Sequence, residues 1–123
     1  MNILAVDDEP LIRDFIYRIL TRDGHTVTTA SNGREALDIL RQARFDLVIT
    51  DRGMPEIGGD QLASFIERDF GEVPVIMLIG FGELMKASGT VPPGVDLILS
   101  KPVTIGTLRD AIHTVLTSSA MSV

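Results

Sequence analysis

Three apolar runs in this chain stop at charge, and that pattern narrows the choice of fold. Ile3-Leu4-Ala5-Val6 runs into Asp7-Asp8-Glu9. Leu47-Val48-Ile49-Thr50 ends on Asp51. The run from Val95 through Leu97-Ile98-Leu99 passes Ser100 into Lys101-Pro102. A segment that is apolar at every position suits a strand covered on both faces, as in a parallel sheet. If the runs are parallel strands, three acids and one lysine gather at one edge of a sheet. Such a cluster suits a divalent metal and a phosphoryl group.

Between the runs the apolar period changes to that of a helix. Pro10 fits a first helical turn, with Asp8 or Glu9 near its start. Leu11, Ile12, Phe15, Ile16, Ile19 and Leu20 then recur at helical spacing, and Asp23-Gly24 ends the helix. Residues 25–30 read as a second strand, polar enough for an edge. Ser31 or Asn32 caps a second helix with Ala36, Leu37, Leu40 and Ala43 on one face. Gly58-Gly59 opens a third helix with Leu62, Phe65 and Ile66 inward. Residues 74–79 form a fourth apolar strand. A short helical patch at 83–88 is broken by Gly89 and Pro92-Pro93-Gly94. Residues 95–99 are the fifth strand. A last helix starts near Thr104 with Leu108, Ile112 and Val115 inward.

Strands alternating with helices predict an α/β fold, a parallel sheet covered on both faces. Ligands of such sheets bind outside the carboxyl ends of the strands, where the strand order reverses. An order of 2-1-3-4-5, taken over from known sheets of this type and not from the spacing, places Asp7 and Asp51 on either side of the reversal.

Composition removes several alternatives. The 123 residues suit one domain over 1–123, large enough to bury a core. The 11 basic and 17 acidic residues give a net charge of −6 with no basic cluster, against direct nucleic-acid binding. There is no cysteine, which excludes disulfides and thiolate metal sites. No apolar stretch approaches the ~20 residues of a membrane span, and no leader precedes the first strand. A cytoplasmic protein is the expectation.

Read alone, a strand-end aspartate serves as a helix cap or turn residue. Together, Asp7, Asp8 and Asp51 repel one another unless a cation compensates. An oxygen-only cluster suits Mg²⁺, which takes few carboxylates and keeps several waters. Asp51 could then act as a nucleophile toward phosphorus, while the metal and Lys101 neutralise charge on the transferring group.

The sequence resembles the receiver domain of two-component response regulators. The resemblance covers residues 2 to about 116. It rests on Asp7-Asp8 after strand 1, on Asp51 with Met54-Pro55 and Gly59 after strand 3, and on Lys101-Pro102 after strand 5. It implies a flavodoxin-like receiver fold with five strands in the order 2-1-3-4-5. It implies that Asp51 is the phosphoacceptor and that Asp8 binds Mg²⁺ directly, with Asp7 doing so directly or through water. Gly53 would lend its backbone carbonyl to the metal, and Lys101 would pair with the phosphoryl group. Pro102 would follow a cis peptide bond that aims the lysine. The partner would be a histidine kinase or a histidine phosphotransfer protein.

Three departures bear on readout. Receivers usually carry Thr or Ser at the end of strand 4, where this chain has Ile79. They carry an aromatic residue three before the lysine, where this chain has Ile98. The fourth helix is cut short. Isoleucine suits a buried strand end, so drift without functional loss is the plain reading. The sharper expectation is an acceptor whose signal is altered at Ile79 and Ile98.

The first helix is apolar around half its circumference, which places Leu11 and Leu20 at the edges of its stripe, partly exposed. A core stripe of unusual width and a docking face for the phosphodonor's helices both fit. His25 and His113 read as surface or edge residues, and Met77, Met85 and Phe81 as packing.

The leading expectation is a phosphoacceptor signalling module, an enzyme only toward its own phosphorylation and dephosphorylation. With no output domain after the last helix, it would act alone or be part of a longer regulator or hybrid kinase. A pseudo-receiver that binds proteins without phosphorylation is the alternative. A nucleotide binder or Mg²⁺-dependent phosphatase fits less well. Asp7-Asp8-Glu9-Pro10 stands where a nucleotide site needs glycines and backbone N–H groups, and little chain is left for a substrate cap.

Overall fold

The computed structural model describes residues 1–80 and 91–121, with side chains to residue 117. The short fourth helix expected at 83–88, Phe81 and Met85 lie outside the described residues.

Five parallel strands form one sheet in the order β2-β1-β3-β4-β5. They are β1 (Asn2–Val6), β2 (Thr26–Ala30), β3 (Leu47–Asp51), β4 (Val75–Ile79) and β5 (Leu97–Ser100). The described helices are α1 (Pro10–Arg22), α2 (Gly33–Gln42), α3 (Gly59–Asp69) and a C-terminal helix (Ile105–Met121). The expected α/β fold and strand order are borne out. None of these helices is long and apolar enough to cross a membrane.

Strand residues alternate between faces, and the core divides accordingly. Leu4, Val6, Val48, Met77 and Ile79 pack with Leu37 and Leu40 of α2 and Leu62 and Ile66 of α3. Ile3, Ala5, Leu47, Ile49, Ile76 and Leu78 pack with Ile16, Ile19 and Leu20 of α1 and Leu108, Ile112 and Val115 of the C-terminal helix. Every residue of β3 and β4 is buried. These central strands are the continuous apolar runs of the sequence because both their faces are covered. The edge strand β2 is mostly half-buried.

The helix ends follow local chemistry. Pro10 stands at the start of α1 after an extended Glu9. Gly24, at φ +94°, reverses the chain past its end. Asn32 caps α2 by accepting from Glu35 N at 2.8 Å, and the Glu35 carboxylate accepts from the Ser31 hydroxyl at 2.8 Å. Thr104 Oγ1 accepts from Thr107 N at 3.1 Å at the start of the C-terminal helix.

Three expectations need correction. Leu20 is fully buried and only Leu11, 86% exposed, stands off the core. Leu20 packs with Ile16 and Ile19 in the core on that face of the sheet. Ala43 is exposed because α2 stops at Gln42 and the chain there turns extended. β5 begins at Leu97, two residues later than expected. Val95 N donates to Pro92 O in a turn, and Asp96 bonds the start of β4, its N to Val75 O and its Oδ2 accepting from Val75 N at 2.8 Å.

Candidate phosphoacceptor and metal site

β1 and β3 are neighbours, with Val6 opposite Thr50, so their ends deliver Asp7 and Asp51 to the same edge. β4 and β5 place Ile79 opposite Ser100, and Lys101 N donates to Ile79 O at 2.7 Å. Lys101 therefore leaves the sheet on the same side. The Lys101–Pro102 bond is cis, as the resemblance implies.

Lys101 Nζ lies 3.1 Å from Asp51 Oδ1, 3.2 Å from Glu9 Oε1 and 3.7 Å from Asp7 Oδ2. Asp7 is fully buried, Asp51 is 6% exposed, and Asp8 faces solvent. Asp7 Oδ1 accepts from Glu9 N at 2.9 Å, and the Asp7 carbonyl accepts from Arg13 Nη1 at 2.8 Å. Asp7 Oδ2 is buried with no hydrogen-bond partner. The loop after β3 folds back closely, with Gly59 N donating to Arg52 O at 2.8 Å. A Cβ on Gly59 would run into the Asp51 carbonyl oxygen, which accounts for the glycine there.

Burial governs the electrostatics. It pushes Asp7 up to about 6, against the Glu9 backbone N–H, with Asp51 adding repulsion. Burial also raises Asp51; the Lys101 hydrogen bond and charge oppose this, and Asp8 adds to it. For Lys101, burial works to lower the pKa, but the Asp51 hydrogen bond and the charges of Asp7 and Asp51 outweigh it and hold it above its ordinary value.

Asp7, Asp8 and Asp51 each offer one oxygen, all within 4.8 Å of one another. The buried Asp7 oxygen without a hydrogen bond and the raised acids mark a site short of positive charge. An all-oxygen set of three carboxylates fits a hard divalent cation such as Mg²⁺.

The structure thus brings together Asp7, Asp8, Asp51 and Lys101. Gly53 is exposed, two residues past Asp51 in the same loop. Ile79 is buried at the end of β4, and Ile98 is half-buried against the α2 and α3 core. Two contacts were not foreseen from sequence, Glu9 with Lys101 and Arg13 with the Asp7 carbonyl. The one available signal was that Glu9 and Arg13 flank the first turn of α1, next to the strand end.

The chain matches the response regulator receiver domain over residues 3–113. It is 37% identical over 119 residues to the transcriptional regulatory protein GlrR of Escherichia coli K12, a match covering 97% of this chain and 27% of that protein. A response regulator receiver domain protein from Clostridium thermocellum superposes with a TM-score of 0.87 at 34% identity, covering 99% of this chain and 98% of that one. The response regulator TrrA of Thermotoga maritima, solved in complex with Mg²⁺–BeF, gives a TM-score of 0.81 at 30% identity, covering 93% of this chain and 97% of that one. The chain belongs to the response regulator receiver domain family of two-component signalling. It spans 27% of the length of GlrR and 25% of that of a second curated relative, PilR of Pseudomonas aeruginosa.

Proposed function

We propose that Asp51 accepts a phosphoryl group from a phosphohistidine on a histidine kinase or histidine phosphotransfer protein. The observation that carries this reading is the buried Asp51 carboxylate, 3.1 Å from Lys101 and grouped with Asp7 and Asp8 within 4.8 Å. That TrrA was solved with Mg²⁺–BeF supports the same use of the pocket here.

Asp7, Asp8, Asp51 and the Gly53 carbonyl would hold Mg²⁺. Bound there, the cation supplies positive charge to the phosphoryl oxygens. An Asp51 oxygen bonds to phosphorus as the P–N bond of the phosphohistidine breaks, and the imidazole leaves with the electron pair. The Lys101 ammonium moves from the carboxylates around it onto a phosphoryl oxygen and neutralises part of its charge. Attack by water on phosphorus returns Asp51 as a carboxylate and releases phosphate. On this reading the protein catalyses no reaction beyond its own phosphorylation and dephosphorylation.

The readout is altered. Ile79 and Ile98 offer neither the hydroxyl nor the aromatic ring that the family pattern carries there. A phosphoryl oxygen finds no side-chain donor at Ile79, which forfeits a charge-assisted hydrogen bond of roughly 1.5–3 kcal/mol.

The test is the intact mass after incubation with acetyl phosphate, with and without Mg²⁺, beside Asp51→Asn. A Mg²⁺-dependent phosphoryl adduct absent from the variant is expected. The same two isoleucines favour the second reading, a pseudo-receiver that binds partners without phosphorylation. No adduct and no Mg²⁺ binding would establish that reading instead.

A further inference from the structure

We propose that Glu9 is a positioning residue for Lys101, holding its ammonium at the rim of the site in competition with an arriving phosphoryl group. The inference rests on the reading of Asp51 as the acceptor. Glu9 stands at the start of α1, where its side chain makes no capping bond. It reaches instead to Lys101, 92 residues away in sequence, at 3.2 Å. The Lys101 side chain is only 18% exposed, so its donors depend on the carboxylates around it, whereas the Glu9 side chain is 59% exposed.

The three carboxylates at Lys101 are not equivalent. Asp7 and Asp51 belong to the cluster suited to a divalent cation, and Glu9 does not. A cation bound to that cluster draws on the charge of Asp7 and Asp51 and weakens their hold on the ammonium. Glu9 keeps its full charge and its oxygen. In the loaded site it is therefore the carboxylate that retains Lys101, and the lysine must release it to reach a phosphoryl oxygen. An exposed pair is weak, so the brake is modest, about two- to fivefold in rate.

The experiment compares second-order rate constants for phosphorylation of Asp51 by acetyl phosphate at saturating Mg²⁺. Glu9→Gln removes the charge and keeps the length. Glu9→Asp keeps the charge and loses the reach. Asp14→Asn removes a charge five residues further along α1, from a residue paired with Arg18 at 3.0 Å. Both Glu9 variants should react about two- to fivefold faster than the native protein, and Asp14→Asn should not. The ¹⁵N resonance of Lys101 Nζ in the Mg²⁺-loaded protein should move in both Glu9 variants. The proposal is overturned if Glu9→Asp reacts like the native protein, if Asp14→Asn matches Glu9→Gln, or if the Lys101 resonance is unchanged. Absence of any adduct on the native protein overturns the acceptor reading and this inference with it. Equal rates in native and Glu9 variants overturn the inference alone.

Discussion

At the scale of single residues, Asp7 contributes to the pH behaviour of the metal-free protein, in the same direction as Asp51. Burial raises its pKa from 3.8 to about 6, so the folded state binds the proton more tightly than the unfolded chain. The resulting stabilisation is complete below 3.8 and is lost as pH rises through about 6. The metal-free protein should therefore weaken across that window, and urea titrations at pH 4, 5, 6 and 7 should show it. Asp7→Asn should flatten the dependence and raise stability at pH 7 by about 1–3 kcal/mol, since each unit is worth ~1.4 kcal/mol. An unchanged midpoint at pH 7 would mean that the buried oxygen costs nothing. Mg²⁺ affinity should fall below pH 6 in the native protein, as the proton competes for the same oxygen.

Ile79 presents the converse case, an apolar residue where a hydroxyl would serve. It is 1% exposed. Ile79→Thr should cost about 1–3 kcal/mol in the unphosphorylated protein, through lost packing and an unpartnered hydroxyl. It should also lengthen the phosphorylated lifetime by about tenfold, because the new hydroxyl gains a charged acceptor. A lifetime equal to that of the native protein, measured by loss of the adduct mass, would refute the altered-readout reading. The four charged residues of the site were legible in sequence because each interrupts or ends an apolar run. The Glu9–Lys101 pair was not, because it depends on which way two long side chains turn across 92 residues of chain.

At the scale of elements, strand and helix identities among the described residues followed from periodicity, and the errors in their bounds fell at ends. Where a strand starts depends on which neighbour takes its first backbone groups. Asp96 illustrates this, since its carboxylate accepts from the buried Val75 N–H at 2.8 Å just before β5 begins. Asp96→Ala should leave that N–H unpaired and cost about 1–3 kcal/mol. Asp96→Asn, which keeps an acceptor, should cost less. Thermal melts of the two variants separate the outcomes, and equal losses would show that the contact is replaced by water. The misjudged exposure of Leu20 has a similar origin. Helical spacing fixes an angle around α1 but not which residue at the edge of its stripe the core covers.

At the scale of the whole molecule, a cation that binds only the folded state must stabilise it. At 100 times its dissociation constant, Mg²⁺ should add about 2.7 kcal/mol to the native protein and nothing to Asp8→Asn if that variant no longer binds it. A midpoint that rises equally in both would show that the ion acts elsewhere. Strand order was not legible from this chain alone, because alternating β and α segments leave several orders open. It entered from known sheets.

The two-sided packing described for the sheet has a consequence for how this sequence can change. Leu37 and Leu62 share one core, and Leu108 lies in the other. Residues that neither touch nor share partners contribute additively. Truncating Leu37 and Leu108 together should cost the sum of the single losses, whereas Leu37 and Leu62 together should depart from it. One flank can therefore be remodelled for a new partner while the other keeps its packing, and the strand ends, where Asp51 and Lys101 stand, belong to the sheet that both flanks share.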